Sequence, residues 1–189
     1  MMRDVLNGGF SDAPVQSARA FRALLEAMAR PGSIHALAGA TPPAPVSPAA
    51  GVVLLTLVDA TTPLHLAGAT DCSAVRDWVT FHTGAPLVSA QAASFSLGRW
   101  EALQPINLFA QGRPDYPDRS ATLIVEVDRL APEGARLRGP GIAHECRLTL
   151  PEVAPFVANR ARFPLGFDAI FTCGAEVAAL PRSTRVEEA

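Results

Sequence analysis

A chain of 189 residues that is 49% apolar and carries a formal net charge of −2 has the length and composition of one folded domain with a substantial core, not of a fibrous or disordered protein. Near-neutral charge argues against a broad, sequence-independent nucleic-acid surface, which needs a clustered basic excess. The amino end, Met1-Met2-Arg3-Asp4, lacks a signal-peptide core and the longest apolar run, Gly51 to Val58, is too short to span a bilayer, so a cytoplasmic protein with no membrane association is expected.

In chain order, Gly9-Phe10-Ser11-Asp12 leads into a helix that Ser11 or Asp12 caps, with Pro14 tolerated in the first turn. Ala18, Phe21, Leu25 and Met28 recur at helical spacing and predict its apolar face, and Pro31-Gly32 stops it. Residues 40–50 are rich in Pro and Ala and read as a surface loop. The run Gly51 to Ala60 suits a strand by its β-branched content and a buried helix by its length with Ala49 and Ala50; the helix is favoured because Thr62-Pro63 breaks the run, leaving Leu64 to Leu66 as a short strand. Ser73 to His82 places Val75, Trp78, Val79 and Phe81 or His82 largely on one side of another helix, closed by Gly84. Pro86 to Ser89 and Ser94 to Leu97 are short strand candidates, and Glu101 to Gln111 reads as a helix interrupted at Pro105.

Ala121 to Val127 (ATLIVEV) is the clearest strand. Leu123, Val125 and Val127 point one way and Ile124 the other, and apolar content on both sides predicts a central position. Ala135 to Arg138 is a further strand entering the turn Gly139-Pro140-Gly141, and Leu150 to Phe163 reads as a helix with Pro151 and Pro155 near its start. Asp168 to Cys173 and Val177 to Leu180 form a hairpin around Gly174. Pro181 ends it and releases Arg182, Ser183, Thr184 and Arg185 at its tip. Helices alternating with short strands predict one α/β domain over residues 1–189, a three-layer α/β/α sandwich with a mixed sheet.

All sixteen basic residues are arginine. A chain without a lysine amine cannot tether pyridoxal phosphate or build a Walker A phosphate loop, so no cofactor is expected. Cys72, Cys146 and Cys173 are odd in number and lack CxxC spacing, which fits reduced thiols. His144 with Cys146 falls short of a zinc ligand set, and as a Cys/His nucleophile the pair lacks an orienting third group, so neither a metal nor a catalytic residue is assigned. Glu126 and Asp128 read as an exposed side of a sheet.

Two segments remain as candidate anion contacts. Arg138 with Gly139 and Gly141 joins a guanidinium to a turn whose glycines admit a phosphate, the alternative being a plain strand-to-loop bend. Arg182 with Thr184 supplies a guanidinium and a hydroxyl at the hairpin tip, the alternatives being a solvated tail or a contact with a partner subunit. Residue chemistry thus leads to an α/β domain with anion-contacting arginines, and to no named reaction.

Several segments together resemble one family: GFSDAPVQSARAFRALLEAMARPGSI, LLTLVDATTPLHL, FHTGAPLVS, ATLIVEV, LRGPGI and FPLGFDAIFTCGAEVAALPRSTRVE. Their order and coverage are similar to the PhnH subunits of the bacterial carbon-phosphorus lyase system for phosphonate breakdown. That resemblance implies a fold like the large domain of pyridoxal-phosphate-dependent aminotransferases, with the cofactor and catalysis lost. It also implies a homodimer, and assembly with the G, I and J subunits of a core complex that transfers an alkylphosphonate to the ribose C1 of a nucleoside triphosphate. A binding module for a phosphonate or nucleotide ligand is the alternative it leaves open.

Overall fold

A computed structural model of the chain describes residues 6–189. The chain runs through α1 (Ala13–Ala29), β1 (His35–Ala36), α2 (Pro48–Leu57), β2 (Leu64–Leu66), α3 (Ser73–Thr83), β3 (Phe95–Arg99), β4 (Gln111–Arg113), β5 (Tyr116–Ser120), β6 (Thr122–Glu126), β7 (Ala135–Arg138), β8 (Cys146–Leu148), α4 (Ala154–Ala161), β9 (Asp168–Cys173), β10 (Glu176–Leu180) and β11 (Arg185–Glu187). A six-stranded sheet in the order β1-β10-β9-β6-β3-β2 is the backbone of the fold. Strands β2, β3, β6 and β9 are mutually parallel, and β10 is antiparallel to both its neighbours, which makes the sheet mixed.

Strand β6 lies inside that sheet, as its two-sided apolar sequence demands. Ile124 joins the core under one face, and Leu123 and Val125 join the core under the other. The first face is covered by α1, α2 and α3, which contribute Leu24, Val53 and Trp78. The second is covered by α4 and a three-stranded antiparallel sheet, β11-β7-β8, through Phe156, Leu137, Leu148 and Val186. The layers are therefore three, but one outer layer is part sheet, not helix alone as α/β/α implies. In β7 the alternation of Ala135 and Leu137 with Arg136 and Arg138 gives that small sheet one dry and one wet side.

Local signals explain most boundaries. Asp12 caps α1, Ser47 caps α2 with Pro48 in the first turn, and Gly84 closes α3 in the left-handed region at φ 67°. Helix α4 starts at Ala154 and not at Leu150, because Pro155 has no amide and fits only the first turn. Residues 100–111 form two short 3-10 turns, Trp100–Leu103 and Ile106–Leu108, on either side of Pro105 instead of a helix. Pro86 to Ser89 supplies only one bridge, Leu87 to Leu64. The β4–β5 hairpin has no counterpart among the elements expected from sequence.

Helix α1 is rotated from its expected orientation. Ala20, Leu24 and Ala27 are buried, while Phe21 and Leu25 are 51% and 58% exposed. Two alanines on the inner side let the helix approach closely, and the bulkier residues of the neighbouring stripe face outward.

Candidate functional site

Four parallel strands, β2, β3, β6 and β9, end at one edge of the central sheet, and open α/β sheets take ligands outside the carboxyl ends of such strands. A cleft of about 320 Å³ lies there, walled by Pro45, Ala67, Ala69, Ala102 and Val127. Strand register sets Arg99, Glu126 and Thr172 side by side, with Arg99 and Glu126 lining the cleft and Thr172 buried behind them. Glu126, the last residue of β6, is only 9% exposed. Its Oε1 accepts from the Ser47 amide at 2.7 Å and its Oε2 from the Thr172 hydroxyl at 3.0 Å. Because Ser47 is the N-cap of α2, the carboxylate sits at the positive end of that helix and fastens it to β6 and β9. Glu126 is thus no exposed sheet residue; a lone charge closing an otherwise apolar central strand was the signal for it.

Past Arg99 a second cleft of about 210 Å³ runs along Asp128, Arg129 and Thr149. Arg99 donates to Asp128 at 2.5 Å and holds that carboxyl below the usual range, while Arg129 lies 2.7 Å from Glu133. Glu101, Glu126 and Asp128 therefore face two arginines that already have carboxylate partners. Such a balance gives the clefts no attraction for a phosphate or other anion.

The sequence-predicted anion contacts fall into two separate places. Arg182 does not project from a hairpin tip. Its amide and Nε donate to Asp168 Oδ1 at 2.8 and 3.1 Å, its second terminal nitrogen donates to Oδ2 at 2.5 Å, and Nη1 donates to the Pro117 carbonyl at 2.7 Å. These side chains are 14% and 17% exposed, and Thr184 beside them is buried. Arg182 thereby ties the end of the β9–β10 hairpin to the start of β9 and to β5.

Arg138 lies elsewhere, on the wet side of the small sheet, directly across from Arg185 and 2.9 Å from Glu145. Gly139 and Gly141 have φ of 136° and 81°. A side chain at Gly141 would run into the Ala29 carbonyl, so this turn is glycine-rich because it passes tightly over the end of α1. Arg138, Gly139, Thr184 and Arg185 come together at the β7–β11 edge, whereas Arg182 and Gly141 point to other neighbours.

Cys146 donates its thiol to the Pro31 carbonyl at 2.9 Å, and burial, with the Glu145 charge, pushes its pKa above the usual thiol value. A thiol kept protonated in this way is a poor nucleophile. Among the described residues no three His, Cys, Asp or Glu side chains gather as a metal set.

Comparison with known proteins adds what geometry alone does not give. A family model described as "Bacterial phosphonate metabolism protein (PhnH)" matches residues 8–187. The alpha-D-ribose 1-methylphosphonate 5-triphosphate synthase subunit PhnH of Rhizobium meliloti (strain 1021) is 40% identical over 97% of this chain and 96% of its own length. The protein HtxG of Stutzerimonas stutzeri, whose name groups it with C-P lyase subunits, is 34% identical over 88% of this chain and 84% of its own. With a match that runs from the loop before α1 to the final strand, the chain belongs to the bacterial phosphonate-metabolism family PhnH.

Proposed function

We propose that this chain is a subunit of a C-P lyase core complex in phosphonate catabolism, supporting the transfer of an alkylphosphonate to the ribose C1 of a nucleoside triphosphate, and that it contributes assembly and shape, not bond-making. The observation that carries this reading is likeness over almost the whole of both chains to a ribose 1-methylphosphonate 5-triphosphate synthase subunit. The residues agree with it: Glu126 and Arg182 are committed to internal hydrogen bonds, and the Cys146 thiol is held protonated. The half-exposed Phe21 and Leu25 on α1 suit a subunit that meets other chains, since a contiguous apolar stripe left in water is unfavourable.

The reading extends to G, I and J subunits as partners, to a cytoplasmic location, to pairing with a second copy of the chain, and to a fold like the large domain of pyridoxal-phosphate-dependent aminotransferases but without the cofactor. The test is co-expression with the G, I and J subunits of the same system, followed by purification near physiological salt. Stoichiometric co-elution is expected. A chain that always elutes alone would overturn the assembly role.

A further inference from the structure

The small sheet β11-β7-β8 turns two rows of charged residues to solvent. Register places Arg185, Arg138 and Glu145 in one row. The other row holds Glu187, Arg136 and Arg147. Between the rows Val186, Leu137 and Cys146 point into the molecule. Two cross-strand pairs are thus arginine opposite arginine, Arg185 with Arg138 and Arg136 with Arg147. Like charges directly opposite one another on a sheet are destabilising.

The two glutamates do not balance the face. Glu145 is 2.9 Å from Arg138 and Glu187 is 3.5 Å from Arg136. Among the described residues, Arg147 and Arg185, at the two remaining corners, have no carboxylate within ion-pair distance. Arg138, Arg136 and Arg147 together lower the pKa of Glu145, so the field over this face is positive even where an acid is present. Four guanidiniums against two carboxylates therefore run as a diagonal band across an exposed sheet of three strands.

We propose that this arginine band is an interaction surface for an acidic patch of a partner protein, whose carboxylates receive Arg147 and Arg185 and relieve the cross-strand repulsion. The face is the outside of a sheet and not a concavity, and the clefts described above lie at the other sheet's edge. A flat charged face of this kind matches a protein surface better than it encloses a small anion. A second copy of the chain presenting the same face would oppose arginine to arginine, so the partner surface is a different one. This inference rests on the subunit reading and names which face of the subunit is used.

The test uses the full chain co-expressed with the G, I and J subunits. Arg147→Glu and Arg185→Glu are exposed changes with no internal bond to lose, and each replaces a cross-strand repulsion with an attraction, so each variant should melt at or above the parent. The double variant should lose roughly a hundredfold or more in affinity for the complex, with the loss coming largely from slower association, and parental binding should weaken steeply with added salt. Arg147→Lys and Arg185→Lys should restore most of the affinity. If the double variant co-elutes like the parent at every salt concentration, the inference fails while the subunit reading stands. If the parent itself never joins the complex, the subunit reading fails instead. Calorimetry of the isolated chain with tripolyphosphate supplies the remaining arm: micromolar binding lost in the double variant would overturn the protein-partner assignment in favour of a small polyanion site.

Discussion

The molecule uses arginine in two opposite ways, and the contrast between Arg182 and the band of Arg136, Arg138, Arg147 and Arg185 is instructive. Arg182 is almost enclosed, with every nitrogen aimed at Asp168 or the Pro117 carbonyl. The band lies on the wet side of a small sheet with more guanidiniums than carboxylates. Burial fixes the first as part of the fold, because an enclosed charge must be satisfied internally. Exposure leaves the second free to meet another molecule. Residue type alone does not separate the two; position relative to the sheet does.

The sharpest way to break this contrast is Arg182→Ala. Removing the guanidinium leaves the largely enclosed Asp168 carboxylate with only the Arg182 amide as donor and frees the Pro117 carbonyl, and a loss of about 2 kcal/mol or more is expected in urea unfolding. Arg185→Ala, three residues on, should leave the urea midpoint unchanged or raise it slightly, since it removes a like-charge pair with Arg138. Equal effects at both positions would erase the distinction.

Gly141→Ala should also destabilise strongly, by more than about 1 kcal/mol, since its φ of 81° disfavours any side chain and the Ala29 carbonyl occupies the space an added methyl would need. A parental melting temperature in that variant would return the turn to the role of a ligand-admitting loop. Glu126→Ala comes next: the Ser47 amide and the Thr172 hydroxyl lose their acceptor, which costs about 1 to 3 kcal/mol and should show as faster hydrogen exchange at the start of α2.

The smallest effect concerns the Arg138–Glu145 pair. The folded pKa of Glu145 is lowered from its ordinary 4.5, chiefly by the Arg138 hydrogen bond. The pair's stabilisation is therefore fully present above that value and is lost as pH falls through the lowered one. Urea midpoints of the parent and Arg138→Ala should differ slightly at neutral pH and converge in acid. Divergence on acidification would mean that the arginine faces something other than Glu145.

Much of the fold was legible because local chemistry fixes it. The caps at Asp12 and Gly84, the buried run of α2, the two-sided β6 and the hairpin around Gly174 all follow from residue type and spacing. The orientation of α1 was not legible, since Ala20 and Ala27 carry little hydrophobic signal yet allow the closest approach. The β4–β5 hairpin was missed because Gly112 and the Pro-flanked polar residues around it imitate a loop. The candidate site was less accessible still. Glu126 and Arg182 owe their roles to partners 79 and 14 residues away, and the arginine band exists only through the register of three strands. Residue chemistry marked both Arg138 and Arg182 but could not tell which one the fold would consume.

The claim that this chain lends shape to a larger machine is tested most directly by omission. The alkylphosphonate-transfer step would be assayed with the purified chain alone, with the other subunits alone, and with all of them together. Turnover is expected only when the chain is present with its partners, and none from the chain by itself. Product formed by the isolated chain would contradict the account.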